Sequence, residues 1–303
     1  MQTNYSYASA LAASQRINWR VEDIIGGEKR LDFDKPFMPE ALARIAPLTG
    51  LSEREGMILN QIRGHEYLAI FGLVEEFILP FVLDHARTRL SDDDYRVRAL
   101  LNFAGEEAKH IQLFRRYHDA FSAGFAVDCG VIGPAEAIAA EMLRHDPLGV
   151  ALVILHIEWM TQRHYLDSVR DDGDLDPLFK RLLRHHWMEE AQHAKLDTLM
   201  VEALAEGRDE AAMAAAIDDY LAIGGFLDNG LKAQTELNLT AFEAAIGRSL
   251  GEDARAAFRT QQHQASRWTY LGSGMTHPQF RATLGAITPA GRDRIDAIAP
   301  AFA

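Results

Sequence analysis

The sequence holds 303 residues, with 31 Lys+Arg against 44 Asp+Glu, a formal net charge of −13 at pH 7. An acidic chain of this balance disfavours nucleic acid and anionic membranes as partners, because both reward clustered Lys and Arg. A single cysteine, Cys129, excludes an internal disulfide framework and any Cys-rich zinc or iron–sulfur site.

Met1–Arg20 has neither a basic start nor a clean apolar stretch, so no secretory leader is expected and a cytoplasmic location is. Residues 1–50 are punctuated by Gly26, Gly27, Pro36, Pro39, Pro47 and Gly50 and read as an irregular arm with short helices. From Leu51 to about Gly207 the apolar residues recur at helical spacing. Four long segments are predicted, at about 53–88, 92–122, 148–171 and 175–206. Between them lie a cap cluster at Ser91-Asp92-Asp93-Asp94, the stretch from Gly124 to Pro134, Asp146-Pro147, and Asp171-Asp172-Gly173-Asp174. Strand-like alternation is missing from the sequence. Residues 208–275 predict two or three further helices, and Gly272–Ala303 reads as a Gly/Pro-broken tail. The expectation is one all-α domain over 1–303, with a bundle core at about 53–206 and a C-terminal helical extension at about 208–303.

The most apolar stretch, Tyr67–Leu83, carries Glu75 and Glu76 at its middle, which a lipid-facing helix would strongly disfavour. No membrane span is expected. A carboxylate inside an apolar helix belongs in a protein interior, where it needs a partner or a metal.

Stepping three and four residues along each segment gives its inward stripe. The first runs Leu68, Phe71, Glu75, Ile78, Leu79, Val82, and the second Leu100, Phe103, Glu107, His110, Phe114, Tyr117. The third runs Ala151, Leu155, Glu158, Gln162, Tyr165, and the fourth Leu182, His186, Glu190, His193, Leu196, Met200, Leu204. Each stripe carries a carboxylate at mid-length. Glu75 sits centrally in its stripe and Glu76 at the edge, so Glu75 is the favoured ligand and Glu76 the alternative. Asp197, close to the phase of His193, reads either as an acceptor for a ligand histidine or as a solvated carboxylate.

Two Glu-x-x-His pairs occur, Glu107–His110 and Glu190–His193. On a helix, residues three apart share a face, so each pair aims an oxygen and a nitrogen at one ion. Each pair is preceded by a lone carboxylate 32 residues earlier, Glu75 and Glu158 respectively. An up–down helix pair, repeated across one long crossover, produces that spacing. Glu106 and Glu189 point about 100° away and are expected to be solvated or to support the ligands. His156 and His164 flank Glu158 out of phase and read as structural, and Cys129 reads as a filler or a partly exposed thiol.

Over residues 60–205 the pattern resembles the ferritin-like di-iron carboxylate proteins. The additional His186, one turn before Glu190, is similar to the extra iron ligand of the p-aminobenzoate N-oxygenase family. The resemblance implies a ferritin-like four-helix bundle and a ligand set of Glu75, Glu107, His110, Glu158, His186, Glu190 and His193. It implies two iron ions as cofactor, with manganese as the other choice. The implied activity is that of a non-haem di-iron oxygenase or oxidase that activates O2 and N-oxygenates or hydroxylates a small organic substrate. The expected partners are that substrate, O2 and an unspecified electron donor, with a homodimer left open and no nucleic acid or membrane. Oxygen and imidazole donors without thiolate suit iron or manganese better than a zinc cage.

Three other readings compete. An iron-storage or ferroxidase subunit is usually a compact bundle, which the arm and the C-terminal residues exceed. A radical-generating ribonucleotide reductase subunit would carry tyrosine where this chain has Phe114. A dinuclear hydrolase would remain active with redox-inert zinc.

Overall fold

The computed structural model describes residues 5–88, 90–91 and 95–303. Its core is four long helices: α4 (Glu53–Arg87), α5 (Arg96–Gly124), α7 (Pro147–His164) and α8 (Pro177–Ala205). They match the four predicted segments in order and nearly in length. Of the Ser91–Asp94 cap cluster, residues 92–94 lie outside the described residues.

Local chemistry sets the helix ends. Ser52 accepts from the Glu55 amide while the Glu55 carboxylate accepts from the Ser52 amide, a closed capping box that starts α4. Asp146 and Asp176 cap α7 and α8, each followed by a proline whose missing N–H would have had no helical partner anyway. α7 runs on into a π-helical turn, Tyr165–Val169, which accounts for the longer span predicted there.

α4 packs along α5, α7 along α8, and α5 against α8, closing a ferritin-like four-helix bundle. The inward stripes are buried as predicted, apart from Leu79 and Leu204, which are half-buried against the core. The crossover holds a short helix that the segment reading passes over, α6 (Ala135–Leu143), packed on α4. Only Met142 of α6 is buried, so its sequence shows no strong inward stripe.

The arm contributes α1 (Tyr7–Ser14), α2 (Val21–Ile24) and α3 (Glu40–Ala43). α1 lies on α5 and α8, where it covers one side of the bundle. Beyond the bundle, α9 (Glu210–Ile246) packs on α7 and α4, and α10 (Glu252–Arg267) on α9. The tail is helical rather than broken. A π turn (Trp268–Gly272), α11 (Ser273–Met275), α12 (Pro278–Ile287) and α13 (Pro289–Ile298) follow one another. Pro278 and Pro289 occupy first-turn positions, so they start helices instead of interrupting them. Gly274 serves close packing: a Cβ there would lie 2.0 Å from the His156 ring on α7. Among the described residues, no helix is long and apolar enough to cross a membrane.

Candidate metal centre

At mid-height of the bundle, all seven sequence-predicted residues are buried: Glu75, Glu107, His110, Glu158, His186, Glu190 and His193. Two quartets of side chains bring their ligand atoms within 4.8 Å of one another. One is Glu75, His110, His186 and Glu190, and the other Glu107, His110, Glu190 and His193. His110 and Glu190 belong to both.

Glu190 spans the pair. Its Oε1 lies 2.6 Å from His186 Nε2 and 3.1 Å from His110 Nδ1, while its Oε2 lies 3.0 Å from His193 Nδ1. His193 Nδ1 is also 2.9 Å from Glu107 Oε1, and His110 Nδ1 is 3.5 Å from Glu75 Oε2. Many of these close approaches are not hydrogen bonds. Glu75 Oε2, both Glu107 oxygens, His110 Nδ1, Glu158 Oε2 and Glu190 Oε1 are all buried and have no hydrogen-bond partner. Buried polar atoms are ordinarily paired, and an isolated buried charge is costly. Nitrogen and oxygen lone pairs converging without hydrogen-bond geometry are what cations between them would satisfy. The donor set therefore fits two metal ions, with oxygen and imidazole ligands only.

Glu158 stands outside both quartets but beside Glu190. Burial, and then the Glu190 charge, push its carboxyl well above the ordinary range. Burial alone would also raise Glu190, but His186 and His193 outweigh it and hold that carboxylate well below the usual value. Burial disfavours the charged form of His193, and the Glu190 and Glu106 carboxylates more than offset it, so its affinity for a proton is raised well above normal.

Glu75 and Glu76 separate clearly. Glu75 enters the first quartet, whereas Glu76 pairs with the exposed Arg115 at 2.9 Å. His186 reaches the cluster through Nε2, which also lies 3.1 Å from Glu75 Oε1.

The residues before each motif glutamate complete the wiring. His110 Nε2 is 2.8 Å from Glu189 Oε2, and His193 Nε2 is 2.9 Å from Glu106 Oε2. Each motif histidine is thus oriented by a carboxylate from the other motif's helix, with its Nδ1 turned to the cluster. Glu106 and Glu189 are supporting groups, not solvated ones. Glu106 also accepts from Ser14 Oγ at 2.5 Å and from Asn102 at 3.0 Å, and Lys109 pairs with Glu189. Asp197 departs from both sequence readings. It is 1% exposed, so it is not solvated, and neither oxygen has a hydrogen-bond partner, so it is not the acceptor for His193. Helical phase places Asp197 close to His193, but it cannot tell that Glu106 on the neighbouring helix holds the ring.

Sequence reasoning missed the arm's part. Trp19 stacks on His110, with ring centroids 6.1 Å apart and planes 11° apart, and carries Lys109 Nζ 3.9 Å above its own ring. No motif marks Trp19 or Ser14; only the fold brings them to the cluster. Phe103 stacks on His193 at 4.0 Å, and Phe71 and Phe114 meet His186 edge-on at 5.4 and 5.1 Å. These rings exclude water from the cluster.

His156 and His164, which flank Glu158 out of phase, enter neither quartet. His156 sits 2.7 Å from the Tyr220 hydroxyl, and His164 lies between Tyr67 and Ser273. Cys129 is buried, and burial pushes its thiol up to about 12, assisted by the Asp128 charge. It is inert filler.

No protein-family model and no curated protein matches the sequence. Among solved structures, the chain is similar to two variants of an R2-like ligand-binding oxidase with an anaerobically reconstituted Mn/Fe cofactor. One matches at 17% identity and TM-score 0.49, covering 87% of this chain and 93% of that one. The other matches at 17% and 0.48, covering 88% and 94%. A third variant with the same kind of cofactor matches at 15% and 0.46, covering 97% and 94%.

Proposed function

We propose that this chain is a dinuclear non-haem oxidoreductase that holds two iron ions, or one manganese and one iron, and activates O2. The observation that carries this reading is the pair of overlapping, fully buried quartets joined through Glu190. Glu75 and His186 would serve one ion and Glu107 and His193 the other, with Glu190 offering an oxygen to each side. His110 would give its one inward nitrogen to a single ion, and Glu158 would add oxygen donors beside Glu190. When bound, such a pair supplies electrons to O2 one or two at a time.

The protein's own part is legible. Glu106 and Glu189 hold His193 and His110 with Nδ1 aimed inward, so neither ring must reorient when metal arrives. Phe71, Phe103, Phe114 and Trp19 keep bulk water from the oxidising centre. The apolar surroundings suit a small organic substrate, and the third histidine favours oxygenation of that substrate, at nitrogen or carbon, over iron storage.

Anaerobic loading with Fe(II), followed by metal analysis and stopped-flow mixing with O2, tests the reading. Two irons per chain and a near-ultraviolet absorption rise within seconds are expected. One ion or none would overturn the dinuclear assignment. Two irons inert to O2, with hydrolytic activity in the zinc form, would replace it with a hydrolase.

A further inference from the structure

A second buried chain of groups starts one aromatic layer away from the metal centre. Tyr67, two turns before Glu75 on α4, is 4% exposed. Its ring lies 4.7 Å from Phe71, which in turn lies 5.4 Å from His186. The Tyr67 hydroxyl is 2.9 Å from His164 Nδ1, and His164 Nε2 is 2.9 Å from Ser273 Oγ.

The direction of every proton in this chain follows from its far end. The Ser273 hydroxyl has one hydrogen, and it donates that hydrogen to the Thr269 carbonyl at 2.9 Å. Ser273 Oγ therefore presents a lone pair to His164, so Nε2 carries the imidazole hydrogen and Nδ1 is bare. Tyr67 must be the donor to Nδ1. Burial, with the Arg163 charge adding to it, lowers the His164 pKa to about 3, which keeps the ring neutral at physiological pH. A phenol hydrogen-bonded to a neutral imidazole, sealed from solvent and linked through one ring to a metal ligand, is a geometry for coupled loss of an electron and a proton.

We propose that Tyr67 is a redox-active tyrosine and that His164 is its proton acceptor. In this step Tyr67 gives one electron, by way of Phe71 and His186, to the metal pair after O2 has oxidised it. The phenolic O–H bond breaks and an N–H bond forms at His164 Nδ1. Tyr67 becomes a neutral phenoxyl radical, His164 an imidazolium, and the metal pair is reduced by one electron. A phenol stripped of an electron is a strong acid, so even a weakly basic imidazole takes its proton. Phe114 also meets His186 edge-on, with no hydroxyl to oxidise. The inference rests on the oxidative reading of the metal centre.

Two measurements on the full chain test it. In metal-free protein, the 15N spectrum of His164, assigned with His164→Gln, must show the neutral form protonated at Nε2. Protonation at Nδ1 would overturn the proposal whatever the metal does. In Fe(II)-loaded protein frozen after mixing with O2, electron paramagnetic resonance should show a tyrosyl signal that narrows with ring-deuterated tyrosine. That signal should vanish in Tyr67→Phe and fall at least tenfold in His164→Gln. Iron that oxidises without this signal overturns the tyrosine's role and leaves the oxidase reading intact. Iron that stays ferrous in air overturns both.

Discussion

Glu75 and Glu76 are chemically identical neighbours that differ in burial and in partners, Glu75 facing the histidine cluster and Glu76 the exposed Arg115. Removing Glu76 breaks one surface pair with Arg115, so Glu76→Ala should change stability by less than about 1 kcal/mol and keep both metals. Glu75→Ala should lose metal while far-ultraviolet circular dichroism stays helical, and metal analysis of the two variants side by side checks this. Glu106 supports His193 without entering either quartet. Glu106→Ala should therefore lower metal affinity by roughly 10- to 100-fold, read by competition with a chelator. At this scale the buried cluster was legible, because a three-residue spacing on a helix is a geometric statement, although Glu158 falls outside both quartets. The supports were only half legible: phase put Glu106 and Glu189 off the main stripe, but which histidine each would meet depends on how two helices dock. Trp19 and Asp197 lay beyond sequence reasoning for the same reason.

The long helices were readable because each carries a continuous apolar face and an explicit start, such as Ser52 with Glu55 or Asp176 with Pro177. Asp176→Ala should cost about 1–2 kcal/mol in denaturant titrations, since the Phe179 amide at 2.6 Å would lose its acceptor. Where the stripe is thin, as in α6, or where proline begins a helix, as in α12 and α13, the sequence pattern reads as loop. A further element-scale tie is wholly invisible in one helix's pattern. Arg63 and Glu66 form a buried ion pair on α4, with Arg63 donating to Ser266 at 2.6 Å and Glu66 accepting from Asn238. That pair binds α4 to α9 and α10. Glu66→Ala leaves a buried guanidinium without its carboxylate and should destabilise the fold by about 3–5 kcal/mol in chemical denaturation.

Across the whole molecule, buried histidines with lowered pKa, His65 and His164 among them, contribute one part of the pH dependence of the metal-free protein. Burial lowers His65 to about 4, assisted by His118, and lowers His164 to about 3, assisted by Arg163. Unfolding returns both to about 6.5, so below that pH the unfolded chain binds protons that the folded chain refuses. Their contribution is complete above about pH 6.5 and is lost as pH falls toward 4 and 3, at up to about 1.4 kcal/mol per pH unit for each group. His110, His186 and His193 are raised and act in the opposite sense, so the share of His65 is read by difference. In urea titrations the stability advantage of the native chain over His65→Gln should be smaller at pH 5.5 than at pH 7. The reciprocal bonds from His110 to Glu189 and from His193 to Glu106 join residues 79 and 87 positions apart. Neither helix pair alone can aim its own histidine, so half of the bundle offers an ion only unaimed imidazoles. Docking of the two halves must then precede capture of the ions, and metal acts as a seal on a finished fold rather than as its template. Adding Fe(II) during anaerobic refolding should leave the refolding rate unchanged and slow only the rate at which the native chain comes apart.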